Sequence, residues 1–206
     1  MPAVSQRIPD SAHYSPVLPI DRGRVLVTLR SAGKTRIMVV EQGKAPTPFI
    51  DIAEDTDFPV ATLGPDRLVL MVGSGATRRV AVASMATGRI LAPIDGIDAS
   101  AVESLAGSPD GTKVFYATGG FVWSKPTGGG KAQQVRAGRS VAVDPDGRFL
   151  IVKQRETKGI HLFRVPLPLG AGKEQEIPIE SGDLQLSDDW QAPGAKRIRS
   201  YNRVVG

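Results

Sequence analysis

Cysteine is absent from the 206 residues, which excludes disulfides, thiolate metal sites and thiol nucleophiles together. Histidine is nearly so: His13 and His161 are the only two, and with no cysteine beside them they argue against a zinc site. Asn202 is the single asparagine and no Ser or Thr stands two places after it, so the sequence holds no N-glycan acceptor. Aromatic residues make up only 5%, and no basic stripe is interleaved with them, as a stacking platform for single-stranded nucleic acid requires. No apolar run approaches the roughly 20 residues of a membrane helix; residues 68–72 form one of the longest and are strand-sized. The opening Met1-Pro2-Ala3-Val4-Ser5-Gln6-Arg7 lacks the apolar stretch of a signal peptide. The sequence therefore reads as soluble as written, with no membrane segment and no visible address, and its compartment is left unassigned.

What is plentiful points the other way from a helical bundle. Glycine occurs 23 times and proline 16 times, against 41% hydrophobic and 23% charged residues. That is enough apolar matter for a core, divided by frequent turns. The formal net charge is +5, but it is unevenly placed. Residues 191–206 carry Lys196, Arg197, Arg199 and Arg203 with no acid, and these four account for all but +1 of the total. A basic tail on a nearly neutral body reads as a solvated terminus, so no nucleic-acid partner is expected.

The turns repeat. Asp21-Arg22-Gly23, Gly64-Pro65-Asp66, Pro109-Asp110-Gly111 and Pro145-Asp146-Gly147 each lead into an apolar run, and their aspartates lie 45, 44 and 36 residues apart. A second ladder, Gly43, Gly88, Gly128 and Gly170, keeps step at spacings of 45, 40 and 42. Between the ladders the pattern is strand, turn, strand. Runs at 24–29, 67–72, 113–118 and 149–153 are followed by runs at 36–40, 79–84, 120–124 and 160–165. Shorter ones at 47–50, 89–93, 132–135 and 176–179 complete each unit, with 14–19, 59–63, 102–106 and 140–143 standing ahead of the aspartates. Four short strands in about 40–45 residues is the period of a β-propeller blade. In Ser108-Pro109-Asp110-Gly111 the proline fixes the first corner, the aspartate can bond back to the backbone, and the glycine takes the left-handed conformation. Asp144-Pro145-Asp146-Gly147 is expected to do the same, whereas Arg67 follows Asp66 and calls for a differently built turn.

These residues carry a resemblance. The segment Gly107-Ser108-Pro109-Asp110-Gly111-Thr112-Lys113-Val114-Phe115-Tyr116, continuing through Phe121-Val122-Trp123 to Gly128-Gly129-Gly130, resembles a repeat of TolB-like, WD-repeat-like β-propellers. Residues 143–165 give a second match, and the units around Asp21 and Asp66 give weaker ones, over about residues 15–185. The resemblance implies an all-β fold: a partial propeller of about four four-stranded antiparallel blades in an incomplete ring. On this reading residues 1–13 are an irregular N-terminal segment, 14–186 the propeller repeats and 187–206 a divergent basic C-terminal tail. The family is often periplasmic or extracytoplasmic. Similar propellers are also found fused to bacterial serine/threonine kinases as sensor or interaction domains.

A search for chemistry assigns no catalytic, cofactor or metal residue. No Gly-x-Ser-x-Gly elbow occurs. His161 falls within a predicted strand and reads as a strand residue, not a base; His13 lies in the irregular N-terminal segment. Thr127-Gly128-Gly129-Gly130-Lys131-Ala132 and Gly170-Ala171-Gly172-Lys173-Glu174 both contain Gly-Lys, but a phosphate-binding loop needs Ser or Thr next and a helix after it. Asp51, Glu54, Asp55 and Asp57 fall in one link between blades, and Asp95, Asp98 and Glu103 in the next. They lack the spacing of a calcium loop and read as solvated connections. In a four-stranded blade these links emerge at the same end as the loops between second and third strands. Those loops carry Arg30 and Lys34, Arg78 and Arg79, and Arg155, Glu156 and Lys158. One face is thus expected to set acids and bases side by side, a rim suited to a polar peptide or protein partner.

The leading expectation is a non-catalytic protein- or ligand-interaction or sensor module, a fragment of a larger protein. The alternative is an accessory propeller of a serine/threonine kinase or serine peptidase whose catalytic domain is absent here. Open blade edges would also favour self-association.

Overall fold

A computed structural model describes residues 17–178, apart from positions 22, 32, 51, 157 and 158. The segment 1–13 expected to be irregular, with His13, the basic tail 187–206, and the rim residues Asp51 and Lys158 lie outside the described residues. Four antiparallel sheets follow one another along the chain, each of four strands hydrogen-bonded in sequence order. Blade 1 comprises β1 (Leu18–Pro19), β2 (Arg24–Ser31), β3 (Lys34–Glu41) and β4 (Thr47–Pro48). Blade 2 comprises β5 (Thr56–Leu63), β6 (Arg67–Val72), β7 (Arg79–Ser84) and β8 (Ile90–Pro93). Blade 3 is β9 (Ser104–Gly107), β10 (Lys113–Thr118), β11 (Phe121–Pro126) and β12 (Gln133–Ala137). Blade 4 is β13 (Ser140–Val143), β14 (Phe149–Glu156), β15 (Gly159–Pro166) and β16 (Gln175–Ile177). The only helices among the described residues are single 3-10 turns at Gly75–Thr77 and Ala99–Ala101. The chain is an all-β, four-bladed propeller.

The expected turns have physical partners. The Asp110 carboxylate accepts from Ser108 Oγ and from the amide and hydroxyl of Thr112, and Gly111 N–H closes the turn on Ser108 O at 2.9 Å. In the matching turn of blade 4 the acid doing this work is Asp144, not Asp146: Asp144 Oδ2 accepts from the Arg148 amide at 3.2 Å. Asp21 accepts from the amides of Gly23 and Arg24 at 3.0 and 2.9 Å. The Asp66 turn is the divergent one, and there Arg67 reaches across to donate to Gly111 O in the next blade. Between β10 and β11 the register closes on Gly119 and Gly120, both at positive φ (59° and 79°). A two-residue hairpin of that twist needs such a pair.

The strands lack the alternation of a sheet wetted on one face, because each inner blade is covered twice. In β6, Leu68, Leu70 and Val72 face blade 1, while Val69 and Met71 face blade 3; all five are fully buried. β10 does the same one blade on: Val114 and Tyr116 look back to blade 2, Phe115 and Ala117 forward to blade 4. Each Leu, Val or Phe so placed contributes about 1.5–3 kcal/mol. Three apolar clusters result, one at each junction between consecutive blades. Among the described residues no such cluster joins blade 4 to blade 1, although Val27 and Val40 on the far face of blade 1 and Ile151 and Leu162 on that of blade 4 are buried.

Polar groups fix the junctions laterally. The Ile37 amide of β3 donates to Thr56 Oγ1 of β5 at 2.8 Å, with Thr56 fully buried. The Gly64 amide donates to Ser108 O at 3.0 Å between blades 2 and 3. Between blades 3 and 4, Ser104 Oγ accepts from the Val141 amide at 3.2 Å. At Gly107 the inner strands of blades 2 and 3 come so close that a Cβ would penetrate the Thr62 carbonyl oxygen and sit 2.8 Å from Leu63 Cα. Gly107→Ala is therefore expected to cost about 2–3 kcal/mol, by forcing two packed blades apart. Denaturant unfolding of the two proteins checks this, and an unchanged midpoint would contradict the packing described.

Candidate functional site

The anticipated charged rim is present at the end of the propeller where links and inner hairpins meet. Backbone bonds hold the two together: Gly73 N–H donates to Asp55 O at 2.8 Å, Glu103 N–H to Ala117 O at 2.9 Å, and Gly138 N–H to Gly120 O at 2.8 Å. The first link is further clamped by basic side chains of blade 1. Lys34 Nζ donates to Ala53 O at 3.4 Å and Arg36 to Ile52 O.

Two ion pairs tie parts of the rim together. Arg79 and Glu54 form a two-point pair, both bonds 2.8 Å, and this holds the Glu54 carboxyl below its ordinary range. Arg139 pairs with Glu103 at 3.0 Å, joining the links that precede blades 3 and 4. Asp98 caps the short helix behind it, accepting from the Ser100 amide at 3.1 Å. Arg30, Arg155 and Glu156 are exposed at the tips of their hairpins. Among the described residues no three acidic or histidine side chains converge where a metal ion could be held.

Asp57 and Arg78 stand apart by their burial. Asp57 sits at the mouth end of β5, where a bulge between Asp57 and Val60 interrupts the ladder. Burial pushes its carboxyl above the ordinary aspartate value; the Phe58 amide at 2.7 Å and the charges of Arg78 and Arg30 act against that rise, and Asp55 adds to it. Arg78 donates one terminal nitrogen to Phe58 O at 3.3 Å, while its Nε is buried without a hydrogen-bond partner. A half-buried carboxyl and a buried, unpartnered guanidinium nitrogen each carry a desolvation cost. Sequence reasoning placed both residues on this face but could not foresee their burial, which depends on the bulge.

Sequence reasoning also missed Phe121. It follows the Gly119-Gly120 turn and is 41% exposed, one of three large apolar side chains left in solvent among the described residues. An exposed aromatic directly after a tight glycine turn was the available signal. The other sequence candidates resolve into structure. His161 lies on β15, with Glu176 and Glu156 as its charged neighbours. The Gly128–Gly130 stretch is the hairpin turn before β12, and its Gly130 carbonyl accepts from Lys125 Nζ at 2.7 Å.

Because the folded-state pKa of Asp57 lies above its unfolded value, its ionised form lowers stability at neutral pH, and that loss fades as pH falls through the raised value. Asp57→Asn is thus expected to raise the thermal midpoint at neutral pH, with the gap from the unsubstituted protein closing towards about pH 4. A pH series of melts would show it; a lower midpoint for the variant at neutral pH would refute it.

No family model and no curated protein matches the sequence. Solved structures do match the fold. The crystal structure of TolB from Acinetobacter baumannii aligns with a TM-score of 0.54 at 13% identity, over 83% of this chain and 45% of that one. The structure of putative TolB from Agrobacterium tumefaciens aligns at 0.57 and 10% identity, over 75% of this chain and 60% of that one. This chain thus spans about half the length of each. At such identities the likeness is one of architecture: the fold is a TolB-like β-propeller.

Proposed function

We propose that this chain is a non-catalytic recognition module that presents its rim, centred on Asp57 and Arg78, to a polar peptide or protein. The observation that supports this reading is the half-buried Asp57 carboxyl at the mouth of the propeller, its pKa raised by burial, with Arg78 as a nearby counter-charge. A peptide group offers an acceptor and a donor together, and exposed Phe121 on the same face supplies an apolar anchor of the kind that dominates interface energetics. The surrounding paired charges give register and orientation more than affinity.

A catalytic reading has less to stand on. Among the described residues the charged neighbours of His161 are carboxylates, with no hydroxyl hydrogen-bonded to it as a nucleophile requires. Three shared cores for four blades, and a span of about half of two solved relatives, support the further reading that the module acts within a larger arrangement of blades.

The test is peptide selection from a random display library on the intact chain, followed by binding of the selected peptides to variants. Reversing charge with Asp57→Lys and Arg155→Glu together, or removing the ring with Phe121→Ala, should each weaken binding by about tenfold or more. Unfolding midpoints confirm that the variants fold. Selected peptides that bind all variants as tightly as the original would overturn the proposal.

A further inference from the structure

A second group of charged side chains, away from the rim pair, closes the outer end of the seam between blades 3 and 4. Arg136 on β12 reaches from blade 3 across to blade 4. Its guanidinium lies 3.4 Å from the ring centroid of Phe163 on β15. It donates to Gln154 Oε1 on β14 and to Glu174 Oε2 just before β16, each at 2.8 Å, and its Nε donates to Ala137 O at 3.1 Å. Gln154 passes the contact on, donating from Nε2 to Glu156 Oε1 at 2.7 Å. The other Glu156 oxygen lies 3.9 Å from His161 Nε2, and His161 Nδ1 is 2.6 Å from Glu176 Oε1 on β16. The strand register sets Gln154 opposite His161 and Phe163 opposite Glu176. All therefore share the face of blade 4 that packs Leu150, Val152 and Val165 against blade 3.

The charges in this ring do not balance at neutral histidine. Glu156, Glu174 and Glu176 surround one permanent cation, Arg136, which is 12% exposed. A proton on His161 supplies the second cation. The remaining charged groups nearby point elsewhere or are occupied: Arg155 and Arg164 alternate onto the opposite face of β14 and β15, and Arg139 is held by Glu103.

We propose that this ring is a proton-operated clasp: with His161 protonated, β16 is drawn onto β15 and blade 4 is latched through Arg136 to blade 3, and loss of the proton releases the outer strand. The direction agrees with the titration. The Glu176 hydrogen bond raises the imidazole pKa above its ordinary 6.5, partly offset by desolvation, with the charges of Glu176 and Glu156 adding to the rise. A raised histidine pKa means stabilisation fully present below the unfolded value and lost as pH rises through the folded one. Release would uncover the edge of β15, an unpaired strand available to a partner.

Hydrogen exchange on the intact chain, expressed as protection factors between about pH 5.5 and about pH 8.5, brackets the ordinary histidine value and reads both sides of the seam. Protection of Gln175–Ile177 and of Gln133–Ala137 is expected to fall several-fold through the His161 midpoint, measured in parallel by NMR. Glu176→Gln should lower that midpoint, and His161→Gln should leave protection flat with pH. Arg136→Met should uncouple Gln133–Ala137 from pH while Gln175–Ile177 still responds. An ordinary or lowered His161 midpoint, or protection unaltered across the range, would overturn the clasp. So would a response confined to β16 in the unsubstituted protein, which would reduce it to a local His–Glu pair.

Discussion

A small antiparallel sheet with apolar residues on both faces cannot satisfy itself, and this fold follows from that constraint. In β6 and β10 consecutive residues alternate between two different cores. Neither strand can be covered by a single neighbour, so each blade must stack between two others. The stacking direction is then fixed by sheet twist, which rotates each blade relative to the last and brings the first strands to a common centre. Apolar burial gives the driving force but not the lateral setting. Thr56, Ser104 and the Gly64 amide supply that by hydrogen bonds across the junctions. Gly107 lets two inner strands approach to a distance that any side chain would prevent.

The same stacking builds the rim. Once blades stand side by side, the link leaving one blade must cross to the next over the hairpin tips, and its carbonyls need donors. Lys34 and Arg36 provide them for the first link. Arg79 with Glu54, and Arg139 with Glu103, then tie links and blades together at the surface, where exposed pairs contribute little to stability but hold geometry. Asp57 and Arg78 differ from these exposed pairs in being partly buried. Their desolvation is offset only in part within the fold.

The two ends of the blade 3–blade 4 seam are secured by different physics. Near the centre, Ser104 Oγ accepts from the Val141 amide at 3.2 Å, a bond between groups that do not titrate. At the periphery, Arg136, His161 and three glutamates form a ring whose charge depends on one proton. On the proposed clasp, an outer strand responds to pH while the inner strands of the seam stay in place.

The sequence by itself determined the architecture through its turns. Asp110 and Asp21 serve as the acids of their turns, the Asp66 turn departs from the pattern as Arg67 foretold, and the glycine ladder marks hairpins. Turn chemistry is local, so it survives in a linear reading. Element ends were less legible: β2 and β14 run on to Ser31 and Glu156 because the hairpins extend past the apolar stretch. Which acid caps the blade 4 turn, Asp144 or Asp146, also needed coordinates, since both stand at turn positions. Only the tertiary structure decided that Asp57 is half-buried, that Arg78 lacks a full set of partners, and that Arg136 meets residues of the next blade. Those properties belong to neighbours distant in sequence, and burial and pairing across a junction exist only when the blades are stacked.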